Sequence, residues 1–156
     1  MPRHDLKRTL PFTPDQLFEL VADVEHYPQF VPWVTGMRTW NRRADETGAE
    51  LVDAEASVGF AFLRERFSTR VRRDPRARTV ETNLLQGPFR RLMNRWTFSP
   101  HADGTEIEFE IDYEFKSRIL QGLLEANFNR AVDRLIHCFE SRARSLYGLP
   151  APSGQA

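Results

Sequence analysis

One cysteine, Cys138, stands in the 156 residues, so no disulfide forms within the chain and the thiol suits a reducing, cytoplasmic setting. No run of about 18 apolar residues is present, which excludes a membrane-spanning helix. The opening residues, Met1-Pro2-Arg3-His4-Asp5, lack the apolar stretch of a secretion signal. Net charge is also missing: Lys and Arg together number 22, as do Asp and Glu. The four histidines, His4, His26, His101 and His137, are scattered and show no metal-ligand spacing. His137 and Cys138 are adjacent on a predicted helix and point about 100° apart, which keeps them from sharing an ion. Glycine patterns that cradle nucleotide phosphates are absent, and so is a G-x-S-x-G elbow. Glu110, Asp112 and Glu114 share an outward strand face and read as solvated carboxylates, not as an acid–base pair. The expectation is a protein with no catalytic residue, no metal and no required cofactor.

What is present describes a globular chain, 40% hydrophobic and 28% charged. Its length suits one domain, expected over residues 1–148, burying roughly 70% of its unfolded surface. The Pro/Ser/Gly-containing tail, 149–156, is expected to be disordered. Charge is unevenly spread. Ten arginines lie from Arg64 to Arg95 against Glu65, Asp74 and Glu81, whereas Asp103 to Glu114 holds six acids and no base. This asymmetry fits an RNA-binding face. It equally fits neighbouring strands whose outward charges complement each other.

The pattern along the chain alternates between two periods. Asp5 to Phe12 reads as a strand. Thr13-Pro14-Asp15 is a helix start, with Thr13 as N-cap and Pro14 at the first helical position. Leu17, Leu20, Val21 and Val24 follow at helical spacing. Tyr27-Pro28-Gln29-Phe30-Val31-Pro32-Trp33 then forms a bent connector, because proline removes a donor and drives the preceding residue toward extended geometry. Its aromatics face either the core or a cavity. Strands are predicted at 34–41, 52–58, around 67–71, at 79–85, 92–99 and 107–115. Turns fall at Asp45-Glu46-Thr47-Gly48, Asp74-Pro75, Gly87-Pro88 and Ala102-Asp103-Gly104. Ile107 to Phe115 alternates strictly with acids, the mark of a strand with one wet face.

The chain closes on a predicted helix from Ser117 to Tyr147, about 45 Å long, with Gly148 and Pro150 as its stop. Leu120, Leu124, Phe128, Leu135, Phe139 and Leu146 form its stripe, widened by Ile119, Leu123, Val132, Ile136 and Cys138. Grouped strands and a terminal helix make an α+β fold: a curved antiparallel sheet of about six or seven strands around the long helix, with two short helices after the first strand. Ala54, Ala56, Gly59 and Ala61 are small enough to leave space between sheet and helix. That space is expected to be lined by Phe30, Trp33, Ala54, Phe67, Trp96, Phe109, Leu124 and Phe128. Phe60, Phe62 and Leu63 read either as a gate or membrane-dipping loop or as a buried strand continuation. Arg90 and Arg91 beside Phe89 read as a basic rim or as solvated residues of a hairpin.

Several motifs occur in one order: Tyr27-Pro28-x-Phe30-x-Pro32-Trp33, Val58-Gly59-Phe60, Phe67-Ser68-Thr69-Arg70-Val71, Gly87-Pro88-Phe89, Asn94-Arg95-Trp96-x-Phe98 and Phe115-Lys116. Together, from about Arg8 to Gly148, they resemble the coenzyme Q-binding START-domain family of the polyketide cyclase/dehydrase-like lipid-binding superfamily. One departure is Val34, where family members often carry Cys after the motif tryptophan. The resemblance implies a helix-grip fold around an apolar cavity. It implies ubiquinone or a related polyprenyl lipid as ligand, in support of respiration or quinone synthesis. The missing catalytic constellation adds the expectation of carriage without chemical change, and the Phe60–Leu63 run and the Arg90–Arg91 pair that of transient contact at the inner membrane surface. Some bacterial relatives are described instead as toxins that block association of ribosomal subunits, which makes ribosome or rRNA the alternative partner. The superfamily also contains cyclases and hydrolases, and fold analogy alone does not choose among these.

Overall fold

The computed structural model describes residues 3–60 and 63–148, and of residues 60, 63, 124 and 126–129 the backbone alone. Seven strands form one antiparallel sheet in the order β1-β7-β6-β5-β4-β3-β2. They are β1 (Arg3–Leu10), β2 (Val34–Ala44), β3 (Glu50–Phe60), β4 (Leu63–Asp74), β5 (Thr79–Gln86), β6 (Phe89–His101) and β7 (Gly104–Phe115). Helix α1 (Pro14–Ala22) and a 3-10 helix (Val24–Gln29) link the two edge strands, and α2 (Arg118–Tyr147) closes the chain. The predicted strands and turns are therefore present, most strands extending a few residues beyond the sequence limits.

Local chemistry sets the ends of the elements. Thr13 caps α1 by accepting from the Gln16 amide at 3.1 Å, while the Gln16 side chain accepts from the Thr13 amide at 3.0 Å. This capping box satisfies two amides that the helix itself leaves without partners. Ser117 caps α2 by accepting from the Leu120 amide at 3.2 Å. Gly148 ends it at φ 79°, a left-handed conformation that glycine adopts without strain. The connector is more regular than expected. Tyr27 and Pro28 lie inside the 3-10 helix, and the chain breaks only at Phe30.

The core lies between the concave sheet face and the helices. Along β7, Thr105, Ile107, Phe109, Ile111, Tyr113 and Phe115 are buried, and the acids between them stay half-exposed. Each large apolar side chain buried this way contributes about 1.5–3 kcal/mol. On α2 the buried stripe is Val132, Ile136, Phe139 and Ala143. Here the sequence reading needs correction. Ile119 and Leu123 are 75% and 54% exposed, and Leu146 is exposed as well. Ile119 and Leu123 lie on the far side of the helix from Val132 and Phe139, so an apolar count without phase overstates the stripe.

The convex face is held by ion pairs between strands, and here most of the arginine excess finds its partners. Arg70 donates to Asp53 at 2.9 Å, Arg72 to Asp45 at 2.8 Å, Arg91 to Asp112 and Glu114 at 3.0 Å, and Arg95 to Glu81 at 2.8 Å. Arg73 reaches Glu25 at 2.7 Å and so ties the 3-10 helix to the sheet. The Asp53 carboxylate is 6% exposed. The hydrogen bond from Arg70, with help from Asn41 and Arg43, holds its pKa below the usual aspartate value of 3.8.

Asp53→Asn is expected to lower stability by about 1–2 kcal/mol at neutral pH, measured by urea denaturation. A carboxylate with a lowered folded pKa stabilises fully above its unfolded value and loses that effect as pH falls toward the folded one. The gap between variant and wild type should therefore close below about pH 4. A gap that widens on acidification would contradict this assignment.

Candidate functional site

A cavity of about 250 Å³ lies between the concave sheet face and α2. Its floor comes from the inward residues of the central strands: Ala54, Ala56 and Val58 on β3, Phe67 and Val71 on β4, Val80 on β5, Leu92 and Trp96 on β6, Phe109 and Ile111 on β7. Ala131, Val132 and Leu135 of α2 form the roof, and Val24, Tyr27 and Trp33 close the end near the connector. Small residues at Ala54 and Ala56, across from the bulky Phe67 and Trp96, leave the volume open. At the other end Pro88, Phe89 and Phe115 complete the wall. There the Phe89 ring stacks on Phe115 at 4.7 Å and meets Phe67 edge-on at 5.4 Å. Gly87 passes directly over Phe67. A Cβ at Gly87 would sit 2.4 Å from the Phe67 Cβ, so only glycine lets the β5–β6 loop approach this closely.

Five residues expected to line the cavity do so: Trp33, Ala54, Phe67, Trp96 and Phe109. Phe30 does not. Its ring packs edge-on against Tyr27 at 5.8 Å and Phe139 at 5.2 Å, and the Arg142 guanidinium lies over it at 5.2 Å. It fills the junction between connector and helix because the chain leaves the 3-10 geometry at that residue. The side chains of Leu124, Phe128, Phe60 and Leu63, and all of Phe62, lie outside the described residues, as does the expected tail.

The basic rim is corrected as well. Phe89 pairs with Phe115 and Arg91 with Glu114, so Arg90 is the extra residue of a β-bulge. The bulge turns Arg91 to the convex face, where Asp112 and Glu114 neutralise it. Arg90 is left exposed.

The sequence reading missed the polar part of the wall: Glu65, Thr69, Thr82 and Asn94. A signal existed in strand phase. Glu65 and Thr69 are in phase with Phe67, and Asn94 is in phase with Trp96. Thr82 is in phase with Val80, and the pairing of β5 with both neighbours brings it beside Thr69 and Asn94.

The chemistry of the wall is sparse. Among the described residues no histidine, cysteine, lysine or arginine lines the cavity. No group of three or more His, Cys, Asp or Glu among them could hold a metal ion. Burial pushes the Tyr27 phenol well above its ordinary pKa, and its hydroxyl donates to the Val21 carbonyl. It therefore stays protonated and occupied. Cys138 sits on α2 away from the wall, its thiol pushed up by burial. The described wall is mainly apolar, and no nucleophile–base pair stands among its described residues.

Relatives follow this architecture along almost the whole chain. The ribosome association toxin RatA of Rickettsia prowazekii is 34% identical over 142 residues, spanning 89% of this chain and 94% of that protein. The mitochondrial coenzyme Q-binding protein COQ10 homolog B of Xenopus laevis is 30% identical over 146 residues, spanning 90% of this chain but 57% of that protein. An 18 kDa protein of Caulobacter crescentus, solved in solution, is 58% identical and superposes with a TM-score of 0.81 over 96% of this chain and all of that one. The match to the family described as polyketide cyclase/dehydrase and lipid transport runs over residues 10–140, and the chain belongs to that family.

Proposed function

We propose that the protein binds a hydrophobic small molecule, ubiquinone or a related polyprenyl quinone, between the sheet and α2, and carries it unchanged. The observation that carries this reading is the apolar cavity of about 250 Å³ with no catalytic pair on its described wall. The volume lies below the roughly 300–1,000 Å³ of pockets that enclose drug-sized ligands. It suits a ring and the start of a chain, the rest of the tail leaving the cavity. The name of the Xenopus relative points to the same ligand. A cytoplasmic carrier with transient contact at the inner membrane fits this role. No helix among the described residues is long and apolar enough to cross a membrane.

A second reading is favoured by one observation, the match to RatA over 94% of its length. It makes ribosome binding the function. Most of the arginines that would serve it are paired within the sheet, which leaves exposed Arg64, Arg66, Arg76 and Arg90 as its contacts. The two readings are separable by salt. Apolar binding changes little with ionic strength, whereas phosphate contacts weaken steeply.

Calorimetric titration with quinones of increasing tail length should show affinity rising over the first prenyl unit or two and then levelling off. Ala54→Phe should weaken binding at least tenfold in a protein that still folds, with overpacking costing about 1–3 kcal/mol. Equal binding by folded wild type and Ala54→Phe counts against this cavity, and chemical turnover of the quinone counts against a carrier.

For the second reading, the protein should co-sediment with ribosomal subunits at low salt. Arg90→Glu should weaken that more than Arg91→Glu, because Arg91 already has two carboxylate partners. Absence of co-sedimentation at low salt removes this reading.

A further inference from the structure

The described cavity wall is mainly apolar, and its polar residues are Glu65 and one cluster. Thr82 and Asn94 face each other across β5 and β6. Thr82 also pairs with Val71, and Thr69 lies two residues along β4 on the same face. Thus two hydroxyls and one amide from three adjacent strands point into the same space. Thr69 is only 6% exposed. None of the three side chains hydrogen-bonds to another described residue. Thr82 and Asn94 are half-buried, and a polar group that faces a cavity takes its partner from water or from a ligand. Glu65 adds a second asymmetry. It is paired with Val58, toward the β3–β4 hairpin from Thr69, and is the one carboxylate on the described wall, where no cation lies to balance an incoming acid.

Building on the cavity-binding function above, we infer that the cavity selects a neutral head group bearing hydrogen-bonding oxygens. Thr69, Thr82 and Asn94 hold those oxygens, and carboxylate-headed lipids of similar size are rejected. The asparagine amide and the hydroxyls offer donors to carbonyl oxygens and acceptors to hydroxyls. One site therefore accepts a quinone or its reduced, hydroxylated form. A plain hydrocarbon leaves all three groups without partners, and a site built to bond an oxygen discriminates strongly against a ligand that lacks it. A fatty acid would bring a second negative charge past Glu65 into a low-dielectric cleft.

The test is displacement of a neutral fluorescent reporter, N-phenyl-1-naphthylamine, from the full chain by three probes. These are a benzoquinone with one prenyl group, prenylbenzene and decanoate. The quinone should displace at a concentration at least about tenfold lower than either competitor. Asn94→Leu and Thr82→Val, each close to constant volume, should weaken the quinone about 3–10-fold each and leave prenylbenzene unchanged or tighter. Glu65→Gln should improve decanoate while leaving prenylbenzene as it was. Reporter binding by each variant shows that its cavity is intact, and Thr69→Val replaces any variant that fails this control. Equal displacement by all three probes, or unchanged quinone binding in every folded variant, overturns the selection and leaves cavity binding standing. Failure of the wild type to bind the reporter and all three probes overturns both.

Discussion

The ring of Phe139 is where sheet, connector and terminal helix meet. Its centroid lies 5.2 Å from each of Tyr27, Phe30 and Trp96, every contact edge-on. Such aromatic contacts contribute about 0.5–1.5 kcal/mol each beyond the area they bury. With Val132, Ile136 and Ala143 they fasten the C-terminal half of α2 to the sheet. A helix of 30 residues is a stiff rod, while a twisted sheet curves away from any straight line laid upon it. Pinning the rod at Phe139 leaves space beside the anchor, which Ala131, Val132 and Leu135 roof. On β3 the inward positions nearest that space are Ala54 and Ala56, and they do not fill it. The cavity is thus a consequence of where the helix is pinned.

The convex face obeys a different constraint. Seven strands joined mostly by tight turns bring residues of opposite charge into register, and the arginine-rich strands β4 and β6 lie beside strands that carry acids. Arg91 is sandwiched against Asp112 and Glu114, and Arg70 against a nearly covered Asp53. A side chain committed to such a pair has little left to offer a phosphate. Counting arginines between Arg64 and Arg95 therefore overstates the cationic surface, and the partnerless set is much smaller than the sequence total. Surface pairs of this kind are individually weak. Their main effect is on register, because a slip by one residue would set Asp53 opposite Thr69 or Val71 and Arg95 opposite Phe109 or Ile111, leaving the charges without partners.

The fold was legible because its signals are redundant. Strict alternation in β7, the Thr13 cap, the turn residues and the long terminal stripe each exclude a different architecture, and all agree with one. The site was legible in part. Residues whose burial follows from their own strand's phase, such as Ala54, Phe67, Trp96 and Phe109, fall where alternation puts them. Phe30 was misplaced because its direction depends on the residue at which a 3-10 helix ends, which proline spacing does not fix. Arg90 and Arg91 were grouped because a β-bulge is invisible without the partner strand. Thr82 and Asn94 were overlooked because polar residues in strands are read as outward by default, and Thr69, although in phase with Phe67 and Val71, because an apolar cavity draws attention to apolar residues. Phase turns each of them inward, and the pairing of β5 with β4 and β6 shows that they converge.

That convergence bears on why the cavity has not collapsed. An interior lined only by alanine, valine and aromatics gains by closing, since every empty volume forfeits dispersion contacts. Three hydrogen-bonding groups on the wall oppose closure, because packing α2 onto them would strip their access to any partner. The same groups weaken the folded state relative to an all-apolar lining, and they do so at positions where valine or leucine would fit the pattern of the strand. A sequence under pressure for stability alone would replace them. Their presence on three adjacent strands, facing one space, is the arrangement expected where a molecule entering from outside takes the place of water as their partner. The two parts of the wall then act differently on that molecule. The apolar surface provides affinity through area removed from water, and the polar row decides which apolar molecule is held.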